Sequence, residues 1–426
     1  MKKFIFSNAL WGVLLSLLTL FFYFTGSGIE TIESKFYDFR SKLRAENFPK
    51  TEFAIIEIDD ESISKIGRWP WSRDKVSDML VWLSSAPAKP SVIGLNILFS
   101  EKEKNDSLKA TQILKGKYTQ LLKDNKIKER GKDSEFLKAI DEISENMNMD
   151  AKLALAITDA NNIILPMYMK TDNLMTKPDE APNWIRKFAI KTDDFENEAE
   201  ENLMEGSAMT VPLEVLSSSV AGIGHVNVFS EPDGTIRREY PFISYNTEVF
   251  PSFALEIVRT HLKRKSEELI IMPGHGISIG KYTMPLDASS SMLVSYTNGE
   301  TSFKSYSFYD VINGKVVPEA FRDKIVLIGP TAQGIGSFYV TPLEKNLPAV
   351  KFTANIIENI LHNNYIVRPT WSFQAELALI LLVAIFITFV LPRLKALIGA
   401  ILTILILGGI ISAGIFLFVS KGEWIK

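Results

Sequence analysis

Residues Phe53–Arg73 read FAIIEIDDESISKIGRWPWSR. The first six form an isoleucine-rich run of strand length interrupted only by Glu57, which predicts a strand buried on both faces. The acidic triplet Asp59-Asp60-Glu61 ends that run. Gly67 and Pro70 then punctuate the chain, and Ser72 stands where it can cap a helix with apolar residues at helical spacing from Lys75 to Leu83. A strand followed by a helix is the unit of an α/β domain, and the unit recurs. Ser91–Phe99 (SVIGLNILF), Asn162–Met169 (NIILPMYM) and Lys324–Ile328 (KIVLI) read as strands, whereas Ser252–Leu262 and Phe352–His362 read as helices. Ala221–Phe229 and Thr235–Ser244 read as two strands of a hairpin around the turn signal Pro232-Asp233-Gly234. The expected class is α/β with a mixed sheet.

Both ends of the chain differ from this middle. Residues Phe4–Phe24 carry no charge, Trp371–Leu391 carry only Glu376, and Ala396–Val419 carry none. About 20 apolar residues cross a bilayer as a helix. One N-terminal and two C-terminal transmembrane helices are therefore expected. The first run is too long for a signal-peptide core and lacks an A-x-A-like cleavage site, so it reads as an uncleaved anchor. Lys2, Lys3, Arg393 and Lys395 all fall on the cytoplasmic side in one orientation. Residues 1–3 and the turn 392–395 are then inside, and 25–370 and the tail 420–426 are outside. Trp371 and Trp424 fall at the outer interface. The expected location is the inner membrane, multi-pass, with the main domain periplasmic or extracellular and the bilayer as a partner.

Composition removes several classes of function. Lys and Arg number 47 against 50 Asp and Glu, a formal net charge of −3, which excludes a basic nucleic-acid binder. Cysteine is absent, so disulfides, zinc–thiolate sites and thiol nucleophiles are excluded. The four histidines, His225, His261, His275 and His362, never stand four apart, so no helical His-pair metal site exists. No G-x-S-x-G elbow occurs, and neither cofactor nor metal is expected. Gly329–Gly334 follows a strand as a phosphate loop would, but Ile335 stands where such a loop needs lysine.

Two stretches read as insertions. Residues 101–150 hold 11 basic and 11 acidic residues and predict an exposed helical excursion. The acidic cluster Asp193, Asp194, Glu196, Glu198, Glu200 and Glu201 lacks the spacing of a calcium loop.

The helix expected over Ser27–Ala45 carries Ile29, Ile32, Phe36, Phe39 and Leu43 at spacings of three and four. That seam packs either against a second copy, giving a homodimer, or on its own domain. Ile29, Ile32, Phe36 and Leu43 adjoin the first span and are the candidates for passing a signal. For binding, Trp69, Trp71 and Arg73, with Asp59, form the most distinctive stretch: two indoles and a guanidinium can cradle a planar or anionic ligand. The plainer reading puts the indoles in the core and pairs Arg73 with Asp59 or Asp60. Arg237, beside Asp233 and Gly234, is either part of a site or an exposed charge at the hairpin.

Several pieces occur together in order: YDFR (Tyr37–Arg40), AIIEIDDESISKIGRWPWSR (Ala54–Arg73), IGLNILFSE (Ile93–Glu101), GHVNVFSEPDGTIRR (Gly224–Arg238), FPSFALE (Phe250–Glu256) and FRDKIVLIGPTAQG (Phe321–Gly334), then Thr341-Pro342. The set resembles the type-2 CHASE domain, the extracellular sensory domain of bacterial cyclases and kinases. The resemblance implies an extracytoplasmic sensor for an unknown stimulus. It also implies a cytoplasmic output, usually a class III nucleotide cyclase, a histidine kinase or a Ser/Thr kinase. Asn96 and Ser337 stand at or near positions where the family commonly has aspartate, and Thr353-Ala354 where it often has His-Ala. If those positions share a polar site, it is partly neutralised here. The family usually has three spans after the domain against two here, so the chain reads as the sensor part of a longer receptor or as a natural short form. The other reading, from a different class, is a membrane-anchored envelope scaffold whose partner surface is the charged excursion.

Overall fold

The structure is a computed structural model and describes residues 8–25, 29–45, 50–124, 133–172, 178–190, 203–272, 274–298 and 302–426. The acidic cluster at 193–201 and the basic start Lys2-Lys3 lie outside the described residues.

Seven strands make the main sheet: β1 (Phe53–Ile58), β2 (Val92–Leu95), β3 (Ile163–Lys170), β4 (Ala208–Thr210), β5 (Gly222–His225), β6 (Ser305–Ser307) and β7 (Ile325–Pro330). The parallel order is β6-β1-β7-β2-β3-β5, and β4 runs antiparallel to the end of β3, so the sheet is mixed. β1 and β7 pair along their whole length, Phe53 with Ile325 through Ile58 with Pro330.

The helices are α1 (Asn8–Thr25), α2 (Ile29–Arg44), α3 (Asp60–Ile66), α4 (Arg73–Ser84), α5 (Asp106–Lys123), α6 (Asp133–Asn146), α7 (Met149–Ala160), α8 (Phe253–His261), α9 (Ala349–His362), α10 (Ser372–Ile385) and α11 (Ala396–Phe416), with shorter turns between. Strand residues alternate between two cores, as a pleated backbone requires. Ala54, Ile56 and Ile58 join Met79 and Leu80 of α4 and Leu153 and Ile157 of α7. Phe53 and Ile55 join Phe253 and Ile257 of α8 and Phe352 and Ile357 of α9. Helices thus cover both faces, which is why β7 is apolar throughout and β1 is apolar but for Glu57.

The hairpin expected around Pro232-Asp233-Gly234 does not form. Gly234 turns the chain at φ +81°, and its N–H donates to the Glu231 carbonyl. However, β5 pairs with β3, and Arg238–Glu239 pairs with Met292–Leu293. The parallel neighbour offers β5 a position buried on both faces, which its GIGH sequence suits better than a half-exposed ribbon. Phe242–Tyr245 instead makes its own hairpin with Glu248–Pro251. The strand read at Ser91–Phe99 shortens to β2, and α9 starts three residues before its expected first turn.

The charged excursion forms α5 and α6. α5 buries no residue, and the ends of the excursion meet where Asn105 Nδ2 donates to the Met147 carbonyl at 3.0 Å.

Two helices, Ser372–Arg393 and Ala396–Lys421, are long and apolar enough to cross a membrane. α1 is apolar and packs on α10, where the Tyr23 hydroxyl donates to Glu376 Oε2 at 2.6 Å. It counts as a third span only together with α2, and the two are bent by 75° at their break.

α2 does not pack its 3–4 stripe on its own domain, contrary to one of the two expectations. Ile32, Phe36, Phe39 and Leu43 are exposed, and the face with Tyr37, Arg40 and Ser41 is buried instead. Polar anchors decide this. Asp38 binds Arg237, Arg40 donates to the Ile425 carbonyl, and Arg44 donates to the Phe418 and Val419 carbonyls and to Asn364. Ile29 opens α2, but its side chain is outside the described ones.

Candidate ligand site at the strand ends

The residues singled out from sequence fall in three places. Asp59 caps α3: Ser62 N–H donates to its Oδ1 at 2.9 Å and the Ser307 hydroxyl at 3.0 Å. Trp71 is buried against Phe308, donates Nε1–H to the Gly67 carbonyl at 2.7 Å, and meets Trp69 edge-on at 5.2 Å. Arg73 pairs with neither Asp59 nor Asp60. Its Nε lies 3.4 Å from Asp150, its Nη2 donates to the Glu101 carbonyl, and it covers the Phe99 ring. As the first residue of α4 it points toward the base of the excursion, and Asp59 is already taken by its cap.

Arg237 is not an exposed charge. Its side chain is 3% exposed and forks onto Asp38 (2.8 and 2.9 Å), Glu231 (2.6 Å) and Asp233 (2.8 Å). The guanidinium beside Asp233 holds that carboxyl down at about 2. Among the described residues Arg237 is thus a clamp between the domain and α2, with no bond to Trp69, Trp71 or Arg73.

A different place gathers polar groups. β2 and β7, which are neighbours, and β5, one strand further on beyond β3, end around a cavity of about 110 Å3. Asn96 follows β2, His225 ends β5, and Pro330 ends β7; Ser337, Tyr339 and Thr353 close the space. This is where the strand order doubles back, since β7 is inserted between β1 and β2, and open parallel sheets offer a crevice at such a switch point. Two glycines allow it to form. A Cβ on Gly224 would sit 2.6 Å from the Phe253 backbone, so only glycine lets α8 start directly against β5. A Cβ on Gly329 would press on Val350 at 3.3 Å and Asn96 at 3.4 Å.

The polar groups in this cavity are unusual for a core. His225 is 1% exposed, and neither ring nitrogen has a hydrogen-bond partner among the described residues. Burial lowers its pKa to about 3, so it is neutral, with one free N–H and one free lone pair. A buried polar group normally finds a partner, and an orphan points to a missing one. Glu239 is 4% exposed; burial pushes its pKa up to about 8, against a hydrogen bond from Ser252 that lowers it. Asn227 is spent on structure: its amide pairs both ways with the Met169 backbone and prolongs the β5 ladder by one rung. Thr353 bonds back to the Ala349 carbonyl at 3.1 Å.

Sequence reasoning missed His225 and Glu239 as site residues. The available signal was His225 at the end of an apolar strand. Asn96, Ser337 and Thr353, noticed as departures from the family pattern, prove to line one cavity.

A layered α/β domain with a partly open, half-apolar cavity at its strand ends is joined to apolar helices of membrane-spanning length. Residues 13–389 match the CHASE2 domain family, and the chain belongs to it. CHASE2 is an extracellular sensor domain of signalling receptors. No curated protein and no solved structure matches the chain.

Proposed function

We propose that the chain is the stimulus-reading and membrane part of a transmembrane receptor, with its α/β domain outside and a cyclase or kinase output inside. The supporting observation is that a helix lining the cavity comes shortly before an apolar span in the chain. α9 lines the cavity with Ala349, Phe352, Thr353 and Ile356, ends at His362, and leads within ten residues to α10. Occupancy of the cavity therefore bears on the helix that precedes the first C-terminal span. Arg44 ties α2 to Asn364 and to the end of α11, so α2, the end of α11 and the segment that follows α9 share one joint. A stimulus that shifts α9 shifts the equilibrium between two arrangements of that joint.

The absence of cysteine makes the topology easy to test. Single cysteines replace Lys117 on α5 and Arg393 in the turn before α11, and intact cells are treated with a membrane-impermeant maleimide. Lys117→Cys is expected to label and Arg393→Cys only after lysis. Labelling of both, or the reverse pattern, overturns the orientation. For the output, the native polypeptide is weighed intact from its own membrane. A mass well above 47.9 kDa with cyclase or kinase activity supports the receptor; a mass near that value without either supports the envelope scaffold.

A further inference from the structure

Four acidic side chains are buried among the described residues: Glu239, Glu256, Glu358 and Glu376. Three have a cation of their own. Glu256 pairs with Arg259, Glu358 with Lys50 and Glu376 with Arg368. Glu239 has none, and no lysine or arginine lines its cavity. A buried carboxyl without a counter-charge is held neutral by its surroundings and becomes an anion once a cation arrives. Ser252, the N-cap of α8, donates to Glu239, so the positive end of that helix lies beside the carboxyl and lowers the cost of the ionised form.

The rest of the wall narrows the kind of cation. Phe253, Tyr339 and Phe352 line the cavity; Tyr339 and Phe352 meet edge to face at 5.3 Å, and none of the three rings carries a protein cation among the described residues. Aromatic faces beside a carboxylate suit an organic ammonium, whereas a divalent metal wants a shell of oxygen and nitrogen ligands that this half-apolar wall does not supply. No group of three acidic or histidine side chains suited to a metal ion occurs among the described residues. The volume of about 110 Å3 admits a small molecule, on the order of four or five non-hydrogen atoms by comparison with cavities that hold benzene. The free lone pair of His225 offers an acceptor for an ammonium N–H.

We propose that the cavity at the strand ends binds a small organic ammonium ion, with Glu239 as its counter-ion, Phe253, Tyr339 and Phe352 as its aromatic wall, and His225 as an acceptor. As the stimulus of the receptor this rests on the function proposed above; as a binding event it does not. On binding, the Glu239 proton leaves to solvent, and the ammonium keeps its own. The other titratable groups facing Glu239 are His225, Tyr296 and Tyr339. Burial keeps the histidine neutral down to about pH 3 and pushes Tyr339 up to about 12 and Tyr296 well above its ordinary value. Glu239 alone therefore titrates between pH 5 and about 9.

The test is calorimetry on the whole 426-residue chain in nanodiscs, with ethylammonium chloride as the probe and ethanol as its neutral isostere, in phosphate and in MOPS. Ethylammonium is expected to bind with a Kd in the millimolar range, the limit set by so few atoms. Ethanol is expected to bind at least tenfold more weakly. The difference in heat between buffers should report close to one proton released per ion bound at pH 7. Glu239→Gln should lose tenfold or more, and Phe352→Leu, which keeps an apolar side chain there, should lose several-fold. Absence of ethylammonium binding, an equal response to ethanol, or unchanged binding in Glu239→Gln overturns the assignment. The receptor reading is separated by its own readout. Binding without a change in cyclase or kinase activity in native membranes overturns the receptor and leaves the site; a failed site leaves the topology result standing.

Discussion

Two buried ionisable residues carry most of what is specific to this domain. Glu239 makes stability depend on pH in an unusual direction. Its folded pKa of about 8 lies above the ordinary carboxyl value, so between about pH 4.5 and 8 the unfolded chain releases a proton that the native state keeps. Stability therefore falls as pH rises through that window, by up to roughly 5 kcal/mol if the whole shift is realised. Denaturant midpoints of the native chain and of Glu239→Gln between pH 5 and 9 check this: the native curve should decline and the variant's should lie flatter. Parallel curves refute it. Arg237 behaves oppositely. Its removal in Arg237→Met leaves Asp38, Glu231 and Asp233 facing each other, at a cost of about 3 kcal/mol. Arg237→Lys should recover only part of that, because an ammonium cannot fork onto two carboxylates. An unchanged midpoint in Arg237→Met would show that the clamp is idle. Neither role was legible from sequence. Burial and partnering are tertiary facts, and Arg237 beside a turn signal reads as a surface charge until Asp38, far away in the chain, is seen beneath it.

At the scale of elements, the sequence was most legible where patterning was strongest. β1 has the bounds its isoleucine run announces, and α8 falls within the stretch Ser252–Leu262 read as a helix, whereas Ser72 precedes α4 without a side-chain cap bond. The false hairpin at Pro232–Gly234 arose because a turn signal says that the chain reverses, not what its arms pair with; β3 outbid the nearer partner. The stripe on α2 shows the same limit. Its period was readable, but which face met the domain was decided by Tyr37, Asp38, Arg40 and Arg44. Because Ile32 and Phe36 are exposed, the double variant Ile32→Asp/Phe36→Asp should leave the unfolding midpoint within about 0.5 kcal/mol. The same variant should uncouple stimulus from output if this face transmits the signal. Unaltered signalling would exclude the route, and a large loss of stability would show that the stripe is covered.

For the whole molecule, the excursion is separable and the sheet is not. α5 and α6 leave and rejoin the domain at Asn105 and Met147, which touch. Replacing residues 106–146 by a short glycine–serine link should therefore preserve the cooperative unfolding of the rest, with a midpoint shift of about 1 kcal/mol or less. Loss of cooperativity would mean that the excursion supports the core.

The central position of β7 has a consequence for how the protein is made. β1 emerges early, yet its full-length partner is encoded about 270 residues later, near the end of the α/β domain. Until Ile325–Pro330 arrives, β1 and β2 present unpaired apolar edges with nothing between them. A domain of this order has high contact order and folds late and slowly. During biogenesis it should depend on holding factors until the final strand slots into the gap.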